Sequence, residues 1–145
     1  MSGPAHAGLI ALPTPRGWTG VLIEGPSGSG KSDLALRALD HGFRLVADDR
    51  VLLWASGGAL FGRAPDVLAG LLEVRGLGVG PAPSLRLSRV ALVVECVPAA
   101  QVERLPDPAT VERAGVRIPL LRLWPFEPAA PAKLRHTIAY LGHGD

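Results

Sequence analysis

The chain has 145 residues, of which 48% are apolar, and its formal net charge is +2 at pH 7. This length and apolar content indicate one folded domain, residues 1–145, and exclude a globally disordered chain. The basic residues are scattered singly, so we expect no nucleic-acid partner even though the sequence pI is about 9.2.

The N-terminal segment and the cysteine content indicate a cytoplasmic protein. The opening stretch, MSGPAHAGLIALPTPRG, has no basic region and its apolar run is broken by prolines, so it does not resemble a signal peptide. No apolar stretch of the sequence is long enough to span a membrane. Cys96 is the one cysteine and cannot form an internal disulfide, which indicates a reducing compartment.

Prolines and glycines divide the chain into short predicted elements. Strands are predicted at residues 7–12, 20–23, 43–47, 51–53, 59–61, 89–97 and 118–123, and residues 71–74 precede a glycine-rich segment. Helices are predicted at residues 31–40 and 131–141. The run 89–97 is the most apolar and is expected to be a central strand, while RGLGVGPAPS is expected to be a loop. The order of elements predicts an α/β domain with a mixed sheet.

Residues 25–32, GPSGSGKS, match the phosphate-loop pattern G-x-x-x-x-G-K-[ST] between a predicted strand and a predicted helix. Glycines let successive backbone N–H groups point at a phosphate chain, and the helix N-terminus adds a positive field. Lys31 is expected to reach the β- and γ-phosphates of a nucleotide, and Ser32 to bind Mg²⁺. The predicted phosphate-binding residues are Gly25, Pro26, Ser27, Gly28, Ser29, Gly30, Lys31 and Ser32.

Two further groups of charged residues follow the loop. Asp48 and Asp49 end the strand predicted at 43–47, at the edge of the sheet where the phosphates bind. Neighbouring side chains on an extended chain point apart, so one acid is expected to move a proton and the other to hold Mg²⁺. Glu73 and Arg75 share a face of an extended segment, where they form either a metal ligand and a phosphoryl contact or a surface ion pair.

The segments GPSGSGKSDLALRAL, HGFRLVADDRV and LLEVRGLGV together resemble the catalytic domain of HPr kinase/phosphorylase. That family phosphorylates a serine of the phosphocarrier protein HPr and removes the phosphate by phosphorolysis. The resemblance covers residues 21–79, and the Asp-Asp pair distinguishes it from ordinary nucleotide kinases. It implies a phosphate-loop fold similar to that of phosphoenolpyruvate carboxykinase, a role in regulating carbon metabolism or phosphotransferase signalling, and a homo-oligomer.

The resemblance also implies roles for individual residues. Lys31 and Ser32 would bind ATP or pyrophosphate with Mg²⁺, Asp48 would be the acid/base, and Asp49 its supporting partner and a metal ligand. Glu73 would help to bind the metal with Arg75 beside it. His6 resembles a histidine that precedes the first strand of the domain in relatives.

The sequence departs from the family pattern in two places. Full-length relatives carry an N-terminal domain that this sequence lacks, so we expect a short form. Near the C-terminus, the proline-glycine-arginine-asparagine stretch of longer members is absent, and Arg122, Lys133 and Arg135 are the candidate replacements. A small-molecule kinase and a nucleotide-sensing module without turnover are therefore kept as alternatives.

The remaining aromatic, cysteine and histidine residues are expected to have structural or surface positions. Cys96 is expected to be a small buried hydrophobe, and His136 and His143 are expected at the surface. An apolar group near the C-terminus is expected to pack in the core or, less favoured, to line a subunit contact: Leu120, Leu123, Trp124 and Phe126.

Overall fold

The computed structural model describes residues 4–141, which form ten strands and two α-helices. The strands are β1 (Ala7–Thr14), β2 (Gly17–Glu24), β3 (Arg44–Ala47), β4 (Leu52–Ser56), β5 (Ala59–Arg63), β6 (Leu71–Val74), β7 (Gly78–Pro81), β8 (Ser88–Cys96), β9 (Ala109–Arg113) and β10 (Val116–Leu123). The helices are α1 (Lys31–Leu39) and α2 (Ala130–Leu141). His143, predicted at the surface, lies outside the described residues, whereas His136 is exposed as predicted.

The main sheet is mixed, as predicted. Its strand order is β3-β1-β2-β8-β10-β9, and the β4–β5 hairpin joins it where β5 pairs with β8. Strands β2, β8 and β10 run parallel to one another. β1 is antiparallel to both of its neighbours, β2 and β3, so β3 points in the same direction as β2. The carboxyl ends of β2, β3, β8 and β10 therefore lie at one edge of the sheet.

The two faces of the sheet bury different residues because successive side chains of a strand point to opposite sides. One face packs against both helices through residues that include Ile10, Val21, Ile23, Leu34 and Leu134. The other face carries residues that include Leu9, Leu22, Val46, Leu60 and Val93. Neither helix in the described part of the chain has the length and apolar character needed to cross a bilayer.

Most predicted elements are confirmed, and two differences bear on the site. The glycine-rich segment after β6 is not a plain loop, because β7 pairs with β6 as an antiparallel hairpin. Strand β9 was not predicted; it pairs with β10 at the edge of the sheet. The run predicted as a central strand is indeed central, since β8 lies between β2 and β10.

Gly20 holds β2 and β8 close together. A Cβ atom at this position would lie 2.4 Å from the carbonyl oxygen of Arg89 on β8. The register between the two strands shifts at this point, between Gly20 and Val21. A neighbouring backbone cannot move aside as a flexible side chain does, so any side chain here forces the strands apart.

We predict that Gly20→Ala destabilises the domain by about 1–3 kcal/mol, the usual cost of overpacking. Gly8→Ala is the matched control, because the Cβ atom there would meet Ala47 O at an ordinary 3.7 Å. The control should change stability by about 0.5 kcal/mol or less, with a small gain expected from lower unfolded-state entropy. Urea unfolding followed by circular dichroism gives both values, and equal stability of the two variants would contradict the prediction.

Candidate functional site

The phosphate loop lies between β2 and α1 at the carboxyl edge of the sheet. Gly28 and Gly30 have φ angles of 79° and 102°, in the left-handed region that glycine adopts without strain. Gly30 is the residue before α1, and among the described residues no side chain caps the first helical amides. Those amides and the helix dipole are thus directed toward the loop, an arrangement suited to an anion.

Lys31 is a buried cation held by the loop. Its side chain is only 8% exposed. The ammonium group donates to the carbonyl oxygens of Gly25 (2.7 Å) and Pro26 (3.0 Å). Within residues 4–141 it makes no ion pair. A buried charge without a counter-ion is costly, so this geometry favours an anionic ligand, toward which the third N–H of the ammonium group remains available.

Asp48 connects three segments behind the loop. Its carboxylate accepts a hydrogen bond from Ser32 Oγ (2.8 Å) through one oxygen and from the Glu73 backbone N–H (2.9 Å) through the other. The residue is 8% exposed. Asp48 therefore holds the Ser32 hydroxyl, at the start of α1, close to the backbone of β6.

Asp49 has a different environment from its neighbour. Its φ angle of 71° is in the left-handed region, which turns the chain sharply after β3. One carboxylate oxygen is 2.6 Å from Nε2 of His6, and the other accepts a hydrogen bond from Arg50 (3.0 Å). The side chains of His6 and Asp49 are 44% and 55% exposed, so this pair is open to solvent.

A cleft of about 420 Å³ joins these groups. Its lining residues are His6, Ser27, Gly28, Gly30, Lys31, Ser32, Asp33, Leu36, Asp49, Glu73, Val74, Arg75 and Phe126. The structure thus brings together most of the predicted site residues, including His6, Asp49, Glu73 and Arg75. Asp48 does not line the cleft; it is 8% exposed, and its two oxygens accept hydrogen bonds from Ser32 and Glu73.

The candidate replacements for the missing C-terminal arginine motif lie elsewhere. Arg122 pairs with Glu95, Lys133 pairs with Glu127, and Arg135 donates to the carbonyl oxygen of His41. None of the three lines the cleft.

Phe126 was missed as a site residue, although it lines the cleft. Leu123, from the same apolar group, is buried as predicted, but Phe126 is 52% exposed. One signal was available in the sequence: Phe126 closely follows a strand, β10, that ends at the same edge as β2.

The sequence model of the family described as HPr Serine kinase C-terminal domain matches residues 16–123. The chain belongs to this family. The HPr kinase/phosphorylase of Clostridium tetani is 53% identical over 66 residues, covering 46% of this chain and 22% of that protein. The same enzyme of Streptococcus thermophilus is 38% identical over 117 residues, covering 72% of this chain and 38% of that protein. The chain therefore spans well under half of the length of these curated relatives.

The fold of this HPr serine kinase domain is also that of a solved structure. The Hpr(Ser) kinase/phosphatase from Coxiella burnetii matches with a TM-score of 0.80 and 24% sequence identity. The match covers 98% of this chain and 97% of that chain. The α/β phosphate-loop fold expected from the sequence is thereby confirmed.

Cys96 is buried against Gly25 of the phosphate loop. A Cβ atom at Gly25 would lie 3.1 Å from Cys96 Cβ, and the cysteine is 4% exposed. Burial raises the pKa of the thiol to about 11, with Lys31 opposing this increase and Glu95 adding to it. The protonated thiol is inert at neutral pH.

This raised pKa predicts a pH dependence of stability. The folded state holds the thiol proton more tightly than the unfolded state, whose cysteine has a pKa near 9.0. The resulting stabilisation is complete below about pH 9 and disappears as the pH rises toward 11. The free energy of unfolding of the wild type should therefore fall, relative to that of Cys96→Ala, by on the order of 2 kcal/mol between pH 8 and 11. Urea titrations of both proteins measure this difference, and parallel pH profiles would contradict it.

Proposed function

We propose that this chain is an ATP- and Mg²⁺-dependent serine kinase that phosphorylates HPr and, with inorganic phosphate, reverses the reaction as a phosphorylase. The proposal extends to a cytoplasmic homo-oligomer that regulates carbon metabolism or phosphotransferase signalling. The observation that carries it is the cleft in which the buried Lys31 and the phosphate loop face the Asp49–His6 pair. Family membership and the named relatives support HPr as the acceptor.

We propose that Asp49 moves the proton, in place of Asp48, which the resemblance implies for this role. Asp49 lines the cleft, is exposed, and is hydrogen-bonded to His6, so we assign it the proton transfer. The acceptor serine gives its proton to the Asp49 carboxylate while its oxygen bonds to the γ-phosphorus and ADP leaves. In the reverse direction the serine oxygen takes the proton back as inorganic phosphate attacks the phosphoserine, which yields pyrophosphate.

His6 and Asp48 are positioning residues in this assignment. The imidazole of His6 holds one oxygen of Asp49 at 2.6 Å, which orients the carboxylate in the cleft. Asp48 holds the Ser32 hydroxyl and the amide of Glu73 through its two oxygens. Loss of Asp48 would disturb the loop and β6 together, whereas loss of Asp49 would remove the base and one oxygen ligand of the metal ion.

The donor atoms near Ser32 fit Mg²⁺. Hydroxyl and carboxylate oxygens are available from Ser32, Asp49 and Glu73, and Mg²⁺ prefers a few such ligands together with water and substrate phosphates. Within residues 4–141 no group of three acidic, histidine or cysteine side chains forms an all-protein cage, which agrees with an ion shared with the nucleotide. Mg²⁺ bound there would neutralise charge on the phosphate oxygens.

A protein acceptor also fits the surface beside the cleft. Glu73 and Arg75 lead into the turn of the β6–β7 hairpin, where Leu77 is 86% exposed and Val79 is 64% exposed. Arg75 makes no ion pair within the described residues, so its guanidinium remains available to the transferred phosphoryl group. We assign the apolar pair Leu77 and Val79 to contact with HPr.

Asp49→Asn should reduce phosphorylation of HPr at least a hundredfold, because an amide cannot accept the serine proton. Asp66→Asn is the matched control, since Asp66 is an exposed aspartate that pairs with Arg63 outside the cleft. Mass spectrometry of HPr incubated with enzyme, ATP and Mg²⁺ gives the rates and identifies the modified serine.

Three outcomes of this assay would redirect the proposal. Normal labelling by Asp49→Asn with none by Asp48→Asn would restore the first assignment of the two acids. Turnover with a metabolite and none with HPr would identify a small-molecule kinase. ATP binding by the wild type with no transfer to any acceptor would identify a nucleotide-sensing module.

Leu77→Ser should raise the KM for HPr about fivefold, the cost of an ordinary interface contact, and leave the KM for ATP unchanged. Val67→Ser is the control because Val67 is similarly exposed, at 84%, and lies in the turn Asp66–Leu68, outside the β6–β7 hairpin. Steady-state kinetics with each substrate varied in turn separate the two effects. Equal KM values for HPr in both variants would show that Leu77 does not contact HPr.

A further inference from the structure

Phe126 occupies a defined place relative to the phosphate loop. The segment after β10, residues 124–129, leaves the sheet at the same edge as the phosphate loop, because β10 and β2 are both parallel to β8. This segment lies directly over Gly30. A Cβ atom at Gly30 would be 2.9 Å from Phe126 Cζ and 3.0 Å from Pro125 Cγ. The phenyl ring therefore contacts the point where the loop becomes α1.

The ring is presented to the cleft by a rigid support. Arg37 of α1 donates hydrogen bonds to the carbonyl oxygens of Pro125 and Glu127, and its side chain also pairs with Asp33. The segment is thus attached to the same helix that begins the phosphate site. Phe126 nevertheless remains 52% exposed and lines the cleft.

The strand order separates the two ends of a bound nucleotide. Asp49 follows β3, Phe126 follows β10, and the phosphate loop follows β2, which lies between them in the sheet. Because Asp49 is assigned the proton transfer, the γ-phosphate is expected at the side of the loop that faces the end of β3. A phosphate chain that begins there and crosses the loop delivers the rest of the nucleotide to the β10 side, where the aromatic ring is exposed.

We propose that Phe126 is the stacking surface for the nucleobase of the phosphoryl donor. The inference rests on the proposed function and adds the base subsite to it. An exposed aromatic face beside a phosphate site suits a nucleobase, because every base has a π-face and stacking on it needs no hydrogen bonds. Phe126 lies outside the segment 16–123 that the family model matches.

The test compares a donor that has a base with one that has none. Isothermal titration calorimetry in the presence of Mg²⁺ measures the binding of ATP and of inorganic tripolyphosphate to the full chain. Phe126→Leu keeps an apolar side chain over Gly30 but removes the aromatic face. It should weaken ATP binding by about fivefold or more while leaving tripolyphosphate binding unchanged. Phe126→Trp should retain ATP affinity.

Trp124→Leu is the matched control, since Trp124 is in the same segment, is 36% exposed and does not line the cleft. It should leave the binding of both ligands unchanged. The inference is overturned if Phe126→Leu weakens both ligands equally, since the ring would then only support the loop. It is also overturned if the variant weakens neither ligand, or if the wild type binds ATP no more tightly than tripolyphosphate. A wild type that binds neither ligand would refute the proposed function itself.

Discussion

The buried ammonium group of Lys31 is the constraint on which the rest of the site depends. Lys31 is 8% exposed, and its ammonium group donates to two carbonyl oxygens of its own loop. It makes no ion pair in the described part of the chain. Such an arrangement is stable only where surrounding structure fixes it, and here the loop is fixed at both ends. β2 is buried in the middle of the sheet, and α1 packs against the sheet through Leu34 and Ala38. The core thus fixes a positive charge at the phosphate loop, where it favours the binding of an anion.

The topology distributes the other functions around this charge. Four strands end at one edge, and three of them lead into segments with different chemistry: acids after β3, the phosphate loop after β2, and an aromatic residue after β10. The β6–β7 hairpin reaches the same edge because Asp48 binds the amide of Glu73. A single carboxylate therefore couples the hydroxyl of Ser32 to the segment carrying Arg75. The cleft residues of this domain are therefore positioned by the edge of the sheet and by a few side-chain hydrogen bonds.

The parts of this arrangement that depend on local sequence could be predicted, and the parts that depend on distant contacts could not. The loop, its preceding strand and its helix follow from glycines, one lysine and an apolar run, all within a short segment. The two aspartates could be recognised, and the expectation that they differ in role came from treating both as extended residues. Which of them faces the cleft was not predictable, because it depends on the left-handed turn at Asp49 and on His6, far away in sequence. β9 (ATVER) was missed because it alternates polar and half-buried residues at an edge, where its hydrogen bonds to β10 outweigh a weak pattern.

The charges around the cleft give a reason for a divalent cation that is independent of the family. The lining contains three carboxylates, from Asp33, Asp49 and Glu73, against the two permanent cations of Lys31 and Arg75. Asp33 is paired with Arg37 and Asp49 with Arg50, whereas Glu73 makes no ion pair within the described residues. The C-terminal candidates Arg122, Lys133 and Arg135 are engaged elsewhere and do not alter this balance. The unpaired carboxylate of Glu73 would repel a polyphosphate in the same cleft, and a divalent cation between the two would remove that repulsion. The carboxylate of Glu73 therefore favours a phosphate donor that carries a metal ion, which is the donor that the proposed function requires.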